Sequence, residues 1–167
     1  MDIDARASIE RLAATASTLA HLVAEVQEAR LQWSEDGGGW SPRTILAHLR
    51  DDEYLCMRLA LERMLAEERP ELHFLDGADW EPTRNHTRER KDLLLADFAL
   101  QRQASLAILR SLRDEDWARS GSSSGREFTI ARFVERWASH DGEHIAQLES
   151  ALGETYAEVL ARRARPE

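Results

Sequence analysis

Three histidines in this chain have the type and spacing that bind a metal ion. His140 and His144 stand four residues apart in the run Trp137-Ala138-Ser139-His140-Asp141-Gly142-Glu143-His144-Ile145-Ala146-Gln147-Leu148. On a helix that spacing sets two imidazoles one above the other on a single face. His48 lies in a separate helical stretch. A pair of imidazoles from one helix and a third from a neighbour make a three-nitrogen ligand set with positions left open for water or substrate. An ion held in this way lowers the pKa of a bound water or thiol and generates a nucleophile near neutral pH. The requirement is that all three rings point inward.

The apolar pattern says that they do. Phe133, Trp137, His140, His144 and Leu148 follow spacings of four, three, four and four, so the pair continues an apolar stripe. Ile45, His48, Asp52, Leu55 and Leu59 keep the same rhythm in the earlier stretch. Three inward imidazoles with Asp52 one turn beyond His48 form a polar layer inside an apolar bundle. Buried polar groups without partners each cost about 1–3 kcal/mol, so a shared partner is expected. A divalent ion is one such partner, and a hydrogen-bonded core cluster is the other.

Four helices are needed to position these residues. The first covers about Asp4 to Trp33, with a stripe through Ile9, Leu12, Ala16, Leu19, Val23 and Val26, and Gly37-Gly38-Gly39 ends it. The second starts with Ser41 as N-cap and Pro42 at the first helical position, and runs to about Glu68, before Pro70. The third covers roughly Arg88 to Arg113, with Leu94, Phe98, Ile108 and Leu112 on its stripe. The fourth follows Thr129, a second N-cap, and ends at Leu152 before Gly153. The connection from Arg69 to Thr87 is long for a helix-to-helix turn and is expected to cross the bundle end or cover something. Ser120 to Gly125 reads as a mobile small-residue linker, no strand pattern is strong enough to change the class, and the tail after Tyr156 extends a helix or frays. The fold class expected is all-α, one four-helix-bundle domain over residues 1–167.

Composition removes other classes. The 167 residues carry a formal net charge of −9, which argues against nucleic acid or an anionic membrane surface as partner. Lys91 is the one lysine, and no basic cluster results. Cys56 is the single cysteine, excluding an intrachain disulfide and a thiolate metal cluster, and is expected to pack in the core. No stretch reaches the ~18 apolar residues of a membrane span, and the first ten residues lack a signal-like run, so the expected location is the cytoplasm. His21, His73 and His86 fall off the stripes or in the long connection, which favours structural or solvent roles. The string from His140 to His144 matches the inverted zinc-protease pattern, but only a short tail follows in which to place its further acidic ligand. A carboxylate-bridged dimetal site would need a Glu-x-x-His pair on each of two helices, which is absent, so a mononuclear site is the better metal reading.

In order and spacing the segments Trp40-Ser41-Pro42, Ile45 to Leu49 with His48, Asp52-Glu53, Leu112 with Asp114 to Trp117 and Arg119, Thr129-Ile130, and His140-Asp141 with His144 and Gln147 resemble the DinB-like superfamily. These are small four-helix-bundle metalloenzymes of variant connectivity, distinct from the polymerase of similar label. The resemblance implies that His48, His140 and His144 are ligands of a divalent metal ion, zinc or nickel foremost. It also implies a metal-dependent transferase or hydrolase, with low-molecular-weight thiols such as bacillithiol or mycothiol as cosubstrates in some members, and a homodimer. Asp52 and Glu143 are the expected catalytic carboxylates. Asp52 shares the stripe of His48; Asp141 and Glu143 read either as groups that orient imidazoles and move protons or as solvated acids. Trp40, Trp80 and Trp117 either line the pocket mouth or seal the bundle ends. Two other functions fit the same residues: a metal- or ligand-binding bundle without turnover, and a structural dimerisation domain.

Overall fold

The computed structural model describes residues 3–33, 39–74 and 89–165. Helix α1 covers Ile3–Val23 and is followed by a 3₁₀ turn, Glu28–Gln32, that carries Leu31 fully into the core. The helix stops about ten residues short of the sequence expectation, and a distant side chain shares in its termination. The ammonium of Lys91 donates to the carbonyls of Val23 (2.7 Å), Ala24 (3.1 Å) and Val26, filling acceptors that a helix C-terminus leaves open.

Helix α2, Pro42–Asp52, starts as its sequence dictates: the Ser41 hydroxyl accepts from the Thr44 backbone N–H at 3.2 Å, and Pro42 occupies the first position. A π-helical turn, Glu53–Arg58, then leads into α3, Leu59–Ala66. The wider turn shifts the helical phase. Leu55 and Leu59, expected inward, are instead 36% and 47% exposed, while Cys56, Met57, Ala60, Leu61 and Met64 are buried. The same slip lets the consecutive residues Asp52 and Glu53 both face the interior.

Helix α4 covers Lys91–Ser111 and ends before a 3₁₀ turn, Asp114–Ala118. The segment expected to be a mobile linker is a hairpin. Strand β1, Ser120–Ser123, pairs antiparallel with β2, Arg126–Thr129, with Ser123 opposite Arg126. Ser124 and Gly125 both have positive φ (50° and 75°), as a tight two-residue hairpin turn of this twist requires. The small residues are there for close approach: Leu72 N–H donates to the Ser122 carbonyl (2.7 Å), and Ser122 N–H to the Pro70 carbonyl (2.9 Å). A Cβ on Gly121 would lie 2.9 Å from Leu72 Cδ1 and 3.2 Å from the Pro70 oxygen. Helix α5, Ile130–Leu152, is capped by the Thr129 hydroxyl and ends at Gly153 in the left-handed conformation (φ 73°). The tail forms a separate helix, α6, Tyr156–Arg163, capped by Thr155 and Glu158 and packed on α1.

The four long elements form a ring in which α1 and α2 each touch both α4 and α5. Sequence neighbours α1 and α2 therefore occupy opposite corners, as do α4 and α5, so the 3₁₀ segment and the hairpin sit in the diagonal connections. The long connection after α3 is present, but residues 75–88, with Trp80 and His86, lie outside the described residues. Two apolar clusters fill the ring. One, towards the hairpin, contains Leu12, Met64, Leu109, Phe133 and Trp137; the other contains Leu19, Leu49, Phe98, Leu148 and Val159. Between them lies a polar layer of Thr15, His48, Asp52, Glu53, Arg102, His140, Asp141 and His144. No helix among the described residues is long and apolar enough to cross a membrane.

Candidate metal centre

Helix α2 supplies His48 and Asp52 one turn apart, and α5, its neighbour in the ring, supplies His140 and His144 one turn apart. The three rings meet. His140 Nε2 lies 3.3 Å from His48 Nε2 and 3.2 Å from His144 Nε2, and one nitrogen of each ring falls within 4.8 Å of the others. Nitrogens bound ~2.0–2.1 Å from a tetrahedral zinc ion stand roughly 3.3–3.4 Å apart, so the spacing fits a shared ion.

Proton placement points the same way. The Gln147 side-chain oxygen accepts from His144 Nδ1 at 2.8 Å, which leaves the Nε2 lone pair of a neutral His144 turned towards His140. Burial, followed by the neighbouring His140 and His48, pushes the His144 pKa down to about 4, so this imidazole is neutral at physiological pH. One proton on His140 Nε2 cannot serve both adjacent nitrogens well; a cation serves all three.

Around the histidines the layer is fully built. Asp52 Oδ2 lies 3.5 Å from His140 Nε2. Trp40 lies parallel to the His144 ring (centroids 5.8 Å apart, 2° between planes) and against His48 at 4.8 Å. Behind them Asp141 is buried, not a surface acid: it accepts from the Thr15 hydroxyl (2.7 Å) and from Arg102 Nη1 (2.5 Å). Burial acts most strongly and would raise its carboxyl pKa, but the Arg102 charge and the hydrogen bonds the carboxylate accepts together hold it below the ordinary value. Arg102, 2% exposed, also donates through Nε and Nη2 to Glu53 Oε2 (3.0 and 2.7 Å) and through Nη1 to the Leu12 carbonyl (2.9 Å). Burial works against the guanidinium charge, yet Asp141 and Glu53 together raise the Arg102 pKa, so it stays protonated. His140 Nδ1 is buried without a hydrogen bond, and Asp141 Oδ1 stands 3.9 Å away. That carboxylate is the group towards which a ligating His140 would turn its second N–H.

The expected residues thus separate. His48, His140, His144 and Asp52 converge; Glu143 is exposed on the cavity lining, outside the histidine contacts; Trp40 lines the site, whereas Trp117 is buried in the hairpin-side core. His21 bonds back to the Ser17 carbonyl and His73 is exposed, both away from the centre. Sequence reasoning passed over Arg102 and quoted Glu53 only within a matching segment, with no role of its own. A signal existed for Arg102: Leu94, Phe98, Arg102, Ser105 and Leu109 form the buried stripe of α4, in place of the expected turn through Ile108 and Leu112. A stripe chosen by apolarity skips an inward arginine.

The histidines open onto a cavity of about 1090 Å³ that extends along α5 to the hairpin and is lined by Asp52, Phe128, Trp137 and Glu143 among others. Its size suits a small molecule. Comparison with solved structures finds YfiT from Bacillus subtilis, described as a probable metal-dependent hydrolase with an unusual four-helix bundle topology. It superimposes with a TM-score of 0.80 at 20% identity, over 93% of this chain and 91% of that one. The search of curated protein sequences returns no match. The DinB superfamily profile matches residues 11–148, spanning all three histidines, and the chain belongs to the DinB superfamily.

Proposed function

We propose that this chain is a divalent-metal-dependent enzyme acting on a small molecule, with His48, His140 and His144 as the metal ligands. The observation that carries the reading is the convergence of three imidazole nitrogens, 3.2–3.3 Å apart at His140, on one side of a cavity large enough for substrate. A structural ion would call for four closed ligands; three histidines beside open volume are the catalytic pattern. The description of YfiT as a metal-dependent hydrolase supports the same class. When bound, the ion supplies Lewis acidity that makes a water or a thiol nucleophilic near neutral pH.

The protein's own residues do the rest. Asp52, on the cavity and 3.5 Å from His140 Nε2, accepts the proton released by the nucleophile. Glu143, exposed on the same lining, passes protons to solvent. Gln147 sets the tautomer of His144, and Trp40 covers the His144 and His48 faces, excluding water from that side. Hydrolysis and thiol transfer share this machinery and differ in which nucleophile enters. Zinc and nickel are the ions of choice, and a homodimer is the assembly the family resemblance implies.

The test is elemental analysis of untagged protein beside a His140→Ala/His144→Ala variant, followed by ester, amide and thiol-plus-electrophile assays on the metal-loaded protein. Near-stoichiometric transition metal in the parent and none in the variant is expected. A parent that neither carries metal nor takes up zinc or nickel overturns the proposal.

A further inference from the structure

Beyond the histidines the wall of the cavity is aromatic, with cationic side chains beside the rings. Phe133 and Trp137 continue the histidine stripe of α5 with ring centroids 5.8 Å apart, and Phe128 of the hairpin lies nearly parallel to Phe133 (6.1 Å, 22°). Phe74, 38% exposed, packs against both phenylalanines at 6.1–6.5 Å. Rings aligned along one wall of an open cavity offer faces and edges to a flat apolar group.

Along the hairpin and the first turns of α5 the charges on the lining are uneven. Glu127 accepts from the Ser120 hydroxyl (2.6 Å), and Glu135 is paired with Arg132 (2.5 Å). Arg126 and Arg136 also line the cavity, both exposed, and neither guanidinium has an ion pair or hydrogen bond to any described residue. In a chain of net charge −9 the general field repels anions, so two guanidinium groups that face one cavity without an acidic partner among the described residues are a local exception. Guanidinium forks suit carboxylate, sulfonate or phosphate oxygens, which they hold in pairs. The histidine end, with Asp52 and Glu143, has the opposite sign. Along α5, Arg136 lies one helical turn from His140, a rise of about 6 Å.

We propose that the substrate is a small amphiphilic anion: a flat apolar body lies along the Phe128–Phe133–Trp137 wall, its anionic group is held by Arg126 and Arg136, and its reacting end reaches the histidines. This substrate class deepens the metal-enzyme reading and rests on it only for the reacting end. The arginines and aromatic wall can therefore be tested without metal.

The probes are 1-anilinonaphthalene-8-sulfonate and N-phenyl-1-naphthylamine, which share an aromatic body and differ by the sulfonate. Both are titrated by fluorescence into the metal-free full-length chain, so that coordination cannot supply the preference. The sulfonate is expected to bind about tenfold tighter, the effect of one good charge-assisted contact. Arg126→Gln/Arg136→Gln should bring the two affinities within about twofold of each other while leaving N-phenyl-1-naphthylamine binding unchanged. Phe128→Ala should weaken both probes together, and Arg90→Gln, far from the cavity, should leave the ratio unaltered. Equal affinity of the two probes in the parent, absence of saturable binding, or a preference that survives the double substitution each overturns the proposal. Metal uptake measured on the parent separates the two readings: a parent that takes up metal but shows no anion preference sinks this inference alone, and a parent that shows the preference but takes up no metal sinks the metal reading alone.

Discussion

Replacing Arg102 by methionine should leave a folded but strongly destabilised protein whose deficit shrinks in acid. The guanidinium makes five close contacts with Glu53, Asp141 and the Leu12 carbonyl, and both carboxylates are almost wholly buried, at 1% and 3% exposure. Methionine retains most of the volume, so the cavity cost is small and the charge effect dominates. Removing one partner of a buried ion pair costs about 3–5 kcal/mol because the other charge is stranded. Here two charges are stranded, and the alternative is to protonate them. Holding an ordinary carboxyl protonated at pH 7 costs about 4 kcal/mol, which puts the upper bound near ~8 kcal/mol for two. The expected loss of about 4–8 kcal/mol is comparable with the whole stability of a domain this size. The sign with pH follows from proton counting. The folded variant binds more protons than its unfolded chain, so its stability falls as pH rises, by up to about 1.4 kcal/mol per pH unit for each carboxyl. Urea unfolding of parent and variant at pH 5, 6 and 7 reads this directly. A loss under about 1.5 kcal/mol that does not change with pH would refute the reasoning, because buried uncompensated carboxylates cannot be that cheap.

Other consequences follow from single contacts. Gly121→Ala should cost about 1–3 kcal/mol in thermal or urea unfolding, since its Cβ would meet Leu72 and Met64 side-chain atoms at 2.9 and 3.0 Å and the Pro70 carbonyl at 3.2 Å. Gly153→Ala should cost roughly 1 kcal/mol, the strain of placing a Cβ at φ 73° in the cap of α5. Asp52→Asn should keep the metal but lower turnover roughly 10²–10⁴-fold once a substrate is found; unchanged turnover would remove Asp52 from proton transfer. Burial would raise the Glu28 carboxyl, but the Lys91 backbone N–H and Arg43 outweigh it and leave a net depressed pKa. Its stabilising contribution is therefore present above the unfolded pKa of about 4.3 and is lost as pH falls through the lower folded value. Parent and Glu28→Gln should converge in unfolding midpoint below about pH 4; a gap that persists at pH 2 would contradict this.

Helix starts and stops were legible in the chain because they are encoded within a few residues: Ser41-Pro42 and Thr129 as caps, and Gly153 as the left-handed terminus. The inward histidines were legible too, since His48, His140 and His144 each continue a stripe whose period is that of the helix, and the phase is regular within α2 around His48 and within α5 from His140 to His144. Where the phase does change, the sequence misleads. The π turn at Glu53–Arg58 carries no local signature, yet it turns Leu55 and Leu59 outward and brings Asp52 and Glu53 inward together. Ser120 to Gly125 looks like a linker because its small side chains suit disorder as well as close packing, and only the chain from Pro70 to Leu72 decides between them. Lys91 caps the end of α1 from 65 or more residues away, and Arg102 binds two carboxylates and a carbonyl on three other helical segments. Local sequence thus determined where α2 and α5 begin, where α5 ends and which faces carry the histidines. The diagonal order of the helices, the polar layer behind the histidines and the aromatic and cationic cavity wall were decided by tertiary packing, because their partners meet only when the ring of helices closes.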